Sequence, residues 1–351
     1  MRQKIVIVLI ISLLSGLLAG CAAFQNTGQK QYTATFMTLF DTVTSIVGSA
    51  ESEDAFRQTA QEIHDELLEY HRLFDIYNEY DGITNLKTIN ESAGIEPVRV
   101  DERIIRLLVN CKEFYTITGG KVNVAMGSVL SLWHEARKEG MDNPKEARLP
   151  DRDALKEAAM HVDLDAVQID EEASTVYISD PHMQLDVGAI AKGWSVGQVA
   201  ENAPTGLLIS VGGNVCVTGP KDKIGSAWIV GIQNPDKEEE YLQTICMTEG
   251  SVVTSGDYQR SYMVDGKRYH HIIDPDTLYP ADYWRSVTII CSDSGVADAL
   301  STALFLMSQE EGQKLLDQYD AEAMWVDTEG VIHYSPGLRK FIRADQGISN
   351  E

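Results

Sequence analysis

The stretch QLDVGAIAKGW, residues 184–194, ends an apolar run on an acidic residue and follows it with small residues and one lysine. Gln184 to Val187 read as the end of a strand and Ile190 to Ala200 as the start of a helix, so Asp186 and Lys192 bracket a strand-to-helix turn. Gly188, Ala189 and Ala191 keep side chains away from a close ligand. The helix N-terminus adds unpaired N–H groups and a partial positive charge, which suits phosphate. No nucleotide fingerprint accompanies the turn, because neither G-x-x-x-x-G-K-[ST] nor G-x-G-x-x-G is present here. Two readings stay open at this point: an anion-binding turn, and an ordinary connection with a solvated Lys192.

Working outward, FMTLFDTVTSIVG is strand-like, and a helix is expected from about Asp54 to Phe74, where Phe56, Ile63, Leu67, Leu68 and Tyr70 recur near helical spacing. Helical patterns also cover roughly 101–117, 128–139 and 152–160. Beyond Val167 the chain turns strand-rich: AVQID with TVYIS as a hairpin, then GLLISVGG, AWIVGIQ, LQTICMT, SVVTSG, RYHHIID and WRSVTIIC. Helices at about 295–307 and 309–319 precede a closing hairpin, AMWVDTEGVIHY. Helices gathered early and strands late predict an α+β fold and not a regular βαβ alternation.

The N-terminus stands apart from this pattern. Arg2 and Lys4 precede IVIVLIISLL, then SGLLAGC, which is a basic n-region, an apolar h-region and small residues before Cys21. The apolar run is short for a membrane span of about 20 residues, so an export signal is expected. LAGC resembles the lipobox of bacterial lipoproteins, in which the cysteine is acylated and becomes the first residue; the alternative is an uncleaved signal anchor. The expected layout is a signal peptide over 1–20, a lipidated polar tether over 21–33, one folded domain over 34–340 and a polar tail over 341–351. Localisation follows: exported and lipid-anchored to the outer face of the cytoplasmic membrane, or on its periplasmic side where an outer membrane exists.

Without residues 1–20 the chain carries 27 Lys and Arg against 53 Asp and Glu, a formal charge of −26. A nucleic-acid partner is therefore not expected, since phosphate backbones need an electropositive surface. Any phosphate ligand must be met locally, by a metal ion or by backbone amides. Cys111, Cys216, Cys246 and Cys291 contain no C-x-x-C pair and lie in or beside apolar runs, so they read as buried thiols and not as a zinc site or disulfide framework.

Several constellations could carry chemistry. In VADALSTALFLM, residues 296–307, Asp298, Ser301 and Thr302 sit at i, i+3 and i+4 on one helical face, an oxygen cluster of the kind Mg²⁺ prefers. The competing reading makes them caps of backbone N–H groups in an early helical turn. RYHHIIDPDTLYP places His270 and His271 at a strand end, where alternation sends them to opposite faces, so only one points into a given cleft. A histidine beside a carboxylate is a candidate general base, and equally an ordinary surface residue. Gly212-Gly213 in ISVGGNVCVTG and Gly119-Gly120 in TGGKVNVAMGSVLSLW read as a hairpin turn and a helix stop, or as places for close ligand approach.

Taken in order, LFDIYNEYDGITNLKTIN, TGGKVNVAMGSVLSLW, LDVGAIAKGW, LLISVGGNV, WIVGIQNP, VVTSGDYQR, HHIIDPDTLYP and ADALSTALFLM resemble the motifs of the ApbE family of FAD:protein FMN transferases. The resemblance covers roughly residues 34–330 and implies a single compact, two-lobed ApbE-like fold. It implies that Asp186 and Lys192 contact FAD, that the Ala189 carbonyl ligates Mg²⁺, and that Asp298 and Thr302 supply side-chain ligands. Ser301 occupies a ligand position that can be Asp in relatives. Tyr77 matches an aromatic residue lying against the flavin nucleotide, Lys121, Val122 and Asn123 a further FAD-contacting segment, and Ile273 a contact beside the histidine. Relatives often have Asp in place of Asn123, and the usual M-G-T appears as F-D-T, making Phe40 the match to the first FAD contact.

The implied reaction is attack of a threonine hydroxyl of an exported acceptor protein on the FMN-side phosphorus of FAD, with release of AMP and Mg²⁺ offsetting the pyrophosphate charge. His271 is the candidate base and Asp274 a candidate to orient it. Two rivals accompany this reading. One is an FAD pyrophosphatase using water in place of threonine; the other is a non-catalytic flavin-binding lipoprotein.

Overall fold

The computed structural model describes residues 30–343, so Cys21 and the export signal lie outside the described residues. Its centre is an eight-stranded antiparallel sheet. In spatial order the strands are Lys30–Leu39, Thr42–Ala50, Leu207–Val211, Asn214–Val217, Gly250–Gly256, Trp284–Cys291, Ala321–Asp327 and Ile332–Tyr334. The register aligns Ile46 with Ile209, Ile209 with Cys216, Val253 with Ile289 and Ile289 with Ala323. Side chains alternate across a strand, so Val253 and Ile289 enter the larger core while their neighbours Val252 and Ile290 enter a second one. Because both faces are covered, Trp284–Cys291 is buried at every position except Arg285, which is half-buried.

One face is packed by the helices Glu53–Phe74, Glu102–Ile117, Ala191–Asn202 and Ser294–Phe305. The other is packed by the hairpin Trp228–Asn234 with Lys237–Met247, through Trp228, Val230, Ile232, Ile245 and Met247. A third cluster joins helix Gly127–Asp142 to the 262–279 segment: Trp133 stacks on Tyr269 and donates its indole N–H to the Leu278 carbonyl at 2.9 Å. Helices meet their predicted spans closely: Glu53–Phe74 starts with Ser52 accepting the Ala55 N–H, and Glu102–Ile117 with Asp101 accepting the Arg103 N–H.

Four local expectations change. The first strand starts at Lys30, paired with Ala50, four residues ahead of the expected domain start at residue 34. FMTLFDTVTSIVG is two strands and not one, reversed at Phe40 and Asp41, both at φ 52°. Gln184 to Val187 form no strand; a single bridge joins Gln184 to Met126, and the Asn90 amide grips Leu185 at both its N–H (2.7 Å) and its carbonyl (3.0 Å), taking the place of a neighbouring strand. The strand expected to end on the two histidines stops at Tyr269. The Gly212–Gly213 hairpin turn holds: both have positive φ, and a Cβ on Gly212 would sit 2.7 Å from the Thr42 hydroxyl.

Candidate active site

The turn at residues 184–194 is built against the helix Ser294–Phe305. That helix is capped by Asp293, whose side chain accepts the Val296 N–H, so Asp298 is released from any capping role. Asp298 is 3% exposed, and its carboxylate accepts the Gly193 N–H at 2.8 Å with the Lys192 ammonium at 3.9 Å. Burial pushes this carboxyl above its ordinary value. Gly193 is glycine for a packing reason, since a Cβ there would overlap the Ser294 carbonyl and the Asp298 Cβ. The Gly193 N–H goes to Asp298 and not back to Ala189, so among the described residues no hydrogen bond is made to the Ala189 carbonyl. Asp186 folds its carboxylate onto the Gly188 N–H at 2.8 Å, shaping the turn, and Lys192 reaches the Gly188 carbonyl at 3.4 Å.

His270 and His271 separate as alternation required, although the strand has ended. His270 is buried and anchored, with Nε2 against the Ala281 carbonyl at 2.8 Å and Nδ1 accepting the Ile272 N–H. The Nδ1 of His271 is buried and has no hydrogen-bond partner. Burial, then the charges of Arg260 and Lys192, hold its imidazole down to about 3, so it is neutral at physiological pH.

A second wall carries Tyr77, which stands 54% exposed. Its loop is organised by Asp75, whose carboxylate accepts from the Tyr77 and Asn78 backbones and the Tyr80 hydroxyl. The Tyr77 ring stacks on His134 with centroids 5.1 Å apart. His134 Nδ1 lies 3.1 Å from the Arg137 guanidinium, which can only donate, so His134 is neutral and carries its proton on Nε2. Arg137 in turn donates to the Arg260 carbonyl at 3.4 Å, and Arg260 donates to the Phe40 carbonyl at 3.2 Å. The Phe40 N–H donates to His71 Nδ1, so this left-handed turn is held from both sides.

The family model for the ApbE family matches residues 38–325. The chain belongs to the ApbE family. A relative from Treponema pallidum (strain Nichols), named FAD:protein FMN transferase, is 35% identical over 277 residues, covering 74% of this chain and 75% of its own. One of the same name from Klebsiella pneumoniae (strain 342) is 32% identical over 299 residues, 81% and 90% of the two chains. The crystal structure of an ApbE protein from Thermotoga maritima superposes at TM-score 0.78 with 31% identity, covering 90% of this chain and all of that one. Flavin transferase ApbE from Vibrio cholerae shares the fold at TM-score 0.73 and 23% identity.

The remaining residues that the ApbE resemblance singled out are placed as follows. Asp274 does not orient His271: its carboxylate takes the Lys121 ammonium at 3.0 Å and the Asp276 N–H, and no hydrogen bond joins it to the histidine. Lys121 is correspondingly paired, with Asp276 at 2.7 Å as its second partner, and this pair ties the 121–123 segment to the 271–276 loop. Asn123 shapes that segment by donating to the Val162 carbonyl and accepting the Ala125 N–H. Val122 and Ile273 are 2% and 5% exposed and pack in the cores beneath the site. Ser301 is fully buried, its hydroxyl engaged by the Asp298 carbonyl and Ser255, both at 2.8 Å, whereas the Thr302 hydroxyl makes no hydrogen bond among the described residues. Cys111, Cys216 and Cys291 are buried as expected, and Cys246 is half-buried.

Among the described residues no three His, Cys, Asp or Glu side chains gather as a metal cluster. The set that the resemblance implies is of another kind: one carboxylate, which is desolvated in Asp298, a backbone carbonyl and a hydroxyl. Oxygen donors with little charge suit Mg²⁺, which is bound by one or two carboxylates and completes its shell with water and substrate phosphate. His134, Arg137, Arg260 and His71 escaped the sequence reading. Arg260 ends the VVTSGDYQR motif without an assigned role, and His134 and Arg137 follow LSLW at i, i+3.

Proposed function

We propose that this chain transfers FMN from FAD to a threonine hydroxyl of an exported acceptor protein, releasing AMP. The observation that carries the reading is the neutral His271, with a buried, unpartnered Nδ1, in the electrostatic reach of Arg260 and of Lys192, whose ammonium stands 3.9 Å from the Asp298 carboxylate. Asp298, Thr302 and the Ala189 carbonyl are the residues that would hold Mg²⁺. When bound, the ion supplies positive charge against the donor pyrophosphate and the departing AMP. Tyr77 and His134 offer a ring face to the flavin, and Asp186 fixes the turn.

The threonine oxygen forms its bond to the FMN-side phosphorus as the bond from that phosphorus to the AMP phosphate oxygen breaks. AMP leaves with the bonding electron pair, and the threonine proton passes to His271. The pyrophosphate of FAD offsets the cations that depress the histidine, bringing its basicity nearer the working pH of a general base. Incubation with FAD, Mg²⁺ and candidate exported proteins, followed by intact-mass measurement, tests this. An acceptor gaining the mass of an FMN phosphoester while AMP appears is the expected result. AMP release with no acceptor gaining mass would replace transfer by hydrolysis of FAD to FMN and AMP.

Residues 21–33 as a lipid-anchored tether, and a site of action outside the cytoplasmic membrane, belong to the same reading and rest on LAGC. Two acyl signals anchor stably where one does not. Cys21→Ser should abolish lipid labelling; retention on membranes through an intact N-terminal segment would favour a signal anchor.

A further inference from the structure

The contacts in the cleft run in one order. Tyr77 stacks on His134, His134 accepts from Arg137, Arg137 touches Arg260, and Arg260 is the foremost charge acting on His271. The Arg137 guanidinium ends on the Arg260 backbone carbonyl, so two arginines stand in series between a ring-stacking pair and the histidine that Arg260 influences. Among the described residues, neither Arg137 nor Arg260 lies within ion-pair distance of a carboxylate, in a chain with 53 acidic residues. Arg137 is half-buried, and burial, then the neighbouring Arg260, lowers its affinity for its proton. A desolvated cation beside a second cation is unfavourable unless an anion joins them.

We propose that Arg137 and Arg260 form an anion subsite that takes the phosphate on the flavin side of the donor, holding the phosphoryl group that is transferred. FMN has a ring system at one end and its phosphorus at the other, and the protein presents ring-facing aromatics, two guanidiniums and a base in the matching sequence. The forked donors of a guanidinium fit phosphate oxygens. Arg260 spends one nitrogen on Phe40, which leaves the rest of its fork for the ligand. The assignment rests on the FMN-transfer reading for the identity of the ligand, and adds two residues to it.

The test compares FMN with riboflavin, which differ by the phosphate alone, with AMP as a third probe. Flavin fluorescence titrations of the wild-type protein and of Arg137→Gln and Arg260→Gln give the FMN-over-riboflavin preference, and calorimetry gives AMP affinity. Each substitution should reduce the preference by about 10-fold while riboflavin and AMP affinities stay within about two-fold. Arg137→Lys and Arg260→Lys should retain more of the preference than the Gln variants. In the wild type, added salt should weaken FMN binding and leave riboflavin binding nearly unchanged; this arm holds even if a variant melts early. An unchanged preference in both Gln variants, or a loss confined to AMP, would overturn the assignment. Wild-type protein that binds FMN with this preference and transfers nothing to any acceptor would remove the transferase reading and leave the subsite standing.

Discussion

Asp298→Asn separates charge from shape at the centre of the site. Asparagine is nearly isosteric and keeps an oxygen to accept the Gly193 N–H, now 2.8 Å from the carboxylate. What disappears is one negative charge, the only side-chain charge in the set formed with Ala189 and Thr302. The environment already disfavours that charge, because burial pushes the carboxyl upward and the nearest cation, Lys192, stands 3.9 Å away. A carboxyl whose pKa is raised on folding costs stability while it is ionised, so above its ordinary titration range the unfolding free energy in metal-free buffer should stay the same or rise by about 1 kcal/mol. Turnover should behave oppositely. Loss of the charged ligand should lower AMP release by at least about 10³-fold, about 4 kcal/mol of transition-state stabilisation, with partial recovery at high Mg²⁺. The assays are denaturant unfolding and AMP release at saturating FAD across a Mg²⁺ titration. Turnover within ten-fold of the wild type at an unchanged Mg²⁺ midpoint would refute the reasoning, as would a variant that fails to fold.

His271 gives the protein an acid limb of known sign. Its imidazole is held near 3, below its ordinary 6.5, so only the unfolded chain takes up a proton as pH falls below 6.5. The stability it contributes is complete above 6.5 and is lost as pH falls toward 3; between pH 7 and 4 the wild type should lose roughly 2–3 kcal/mol more than His271→Gln, read by unfolding at each pH, and parallel curves would contradict the burial of the ring. Gly193→Ala sets a helix-propensity gain of about 1 kcal/mol against an overlap with backbone that cannot yield, costing about 1–3 kcal/mol. The melting temperature should fall by a few degrees and AMP release should drop with it, because Asp298 is displaced; a variant as stable and active as the wild type would show that the two helices part without consequence.

The sequence reading succeeded where periodicity was long or where small residues marked a close approach. Helix Glu53–Phe74 and the apolar strands through Cys291 were legible because burial repeats along them. In AIAKGW the small residues were legible as a place of close approach, and Gly193 turns out to be fixed by a helix crossing. The reading failed where one side chain substitutes for a ladder or redirects the backbone. Asn90, 95 residues away, makes Leu185 look like part of a strand, and Phe40 and Asp41 turn through positive φ without a glycine to announce it. The pairing of Asp274 with Lys121 was not legible, because sequence adjacency to His271 says nothing about a lysine that arrives from 153 residues away. Arg137 and Arg260 were invisible for the same reason: their meaning lies in having no carboxylate within ion-pair distance among the described residues, which only the folded chain discloses.

Helix Ser294–Phe305 is enclosed on nearly every side, with Ala297, Ala299, Leu300, Ser301, Ala303, Leu304 and Phe305 all inaccessible to solvent. The wall of the cleft that carries Asp298 is therefore an anvil, unable to shift without opening the core. Any adjustment to an incoming donor or acceptor falls on the facing wall, where Tyr77 and Arg260 are solvent-exposed and the Phe40–Asp41 turn is held by two hydrogen bonds. A cleft with one stiff jaw and one compliant jaw can keep a fixed geometry at the reacting phosphorus while accepting acceptor proteins of different contour, and its tolerance to substitution should be divided along the same line.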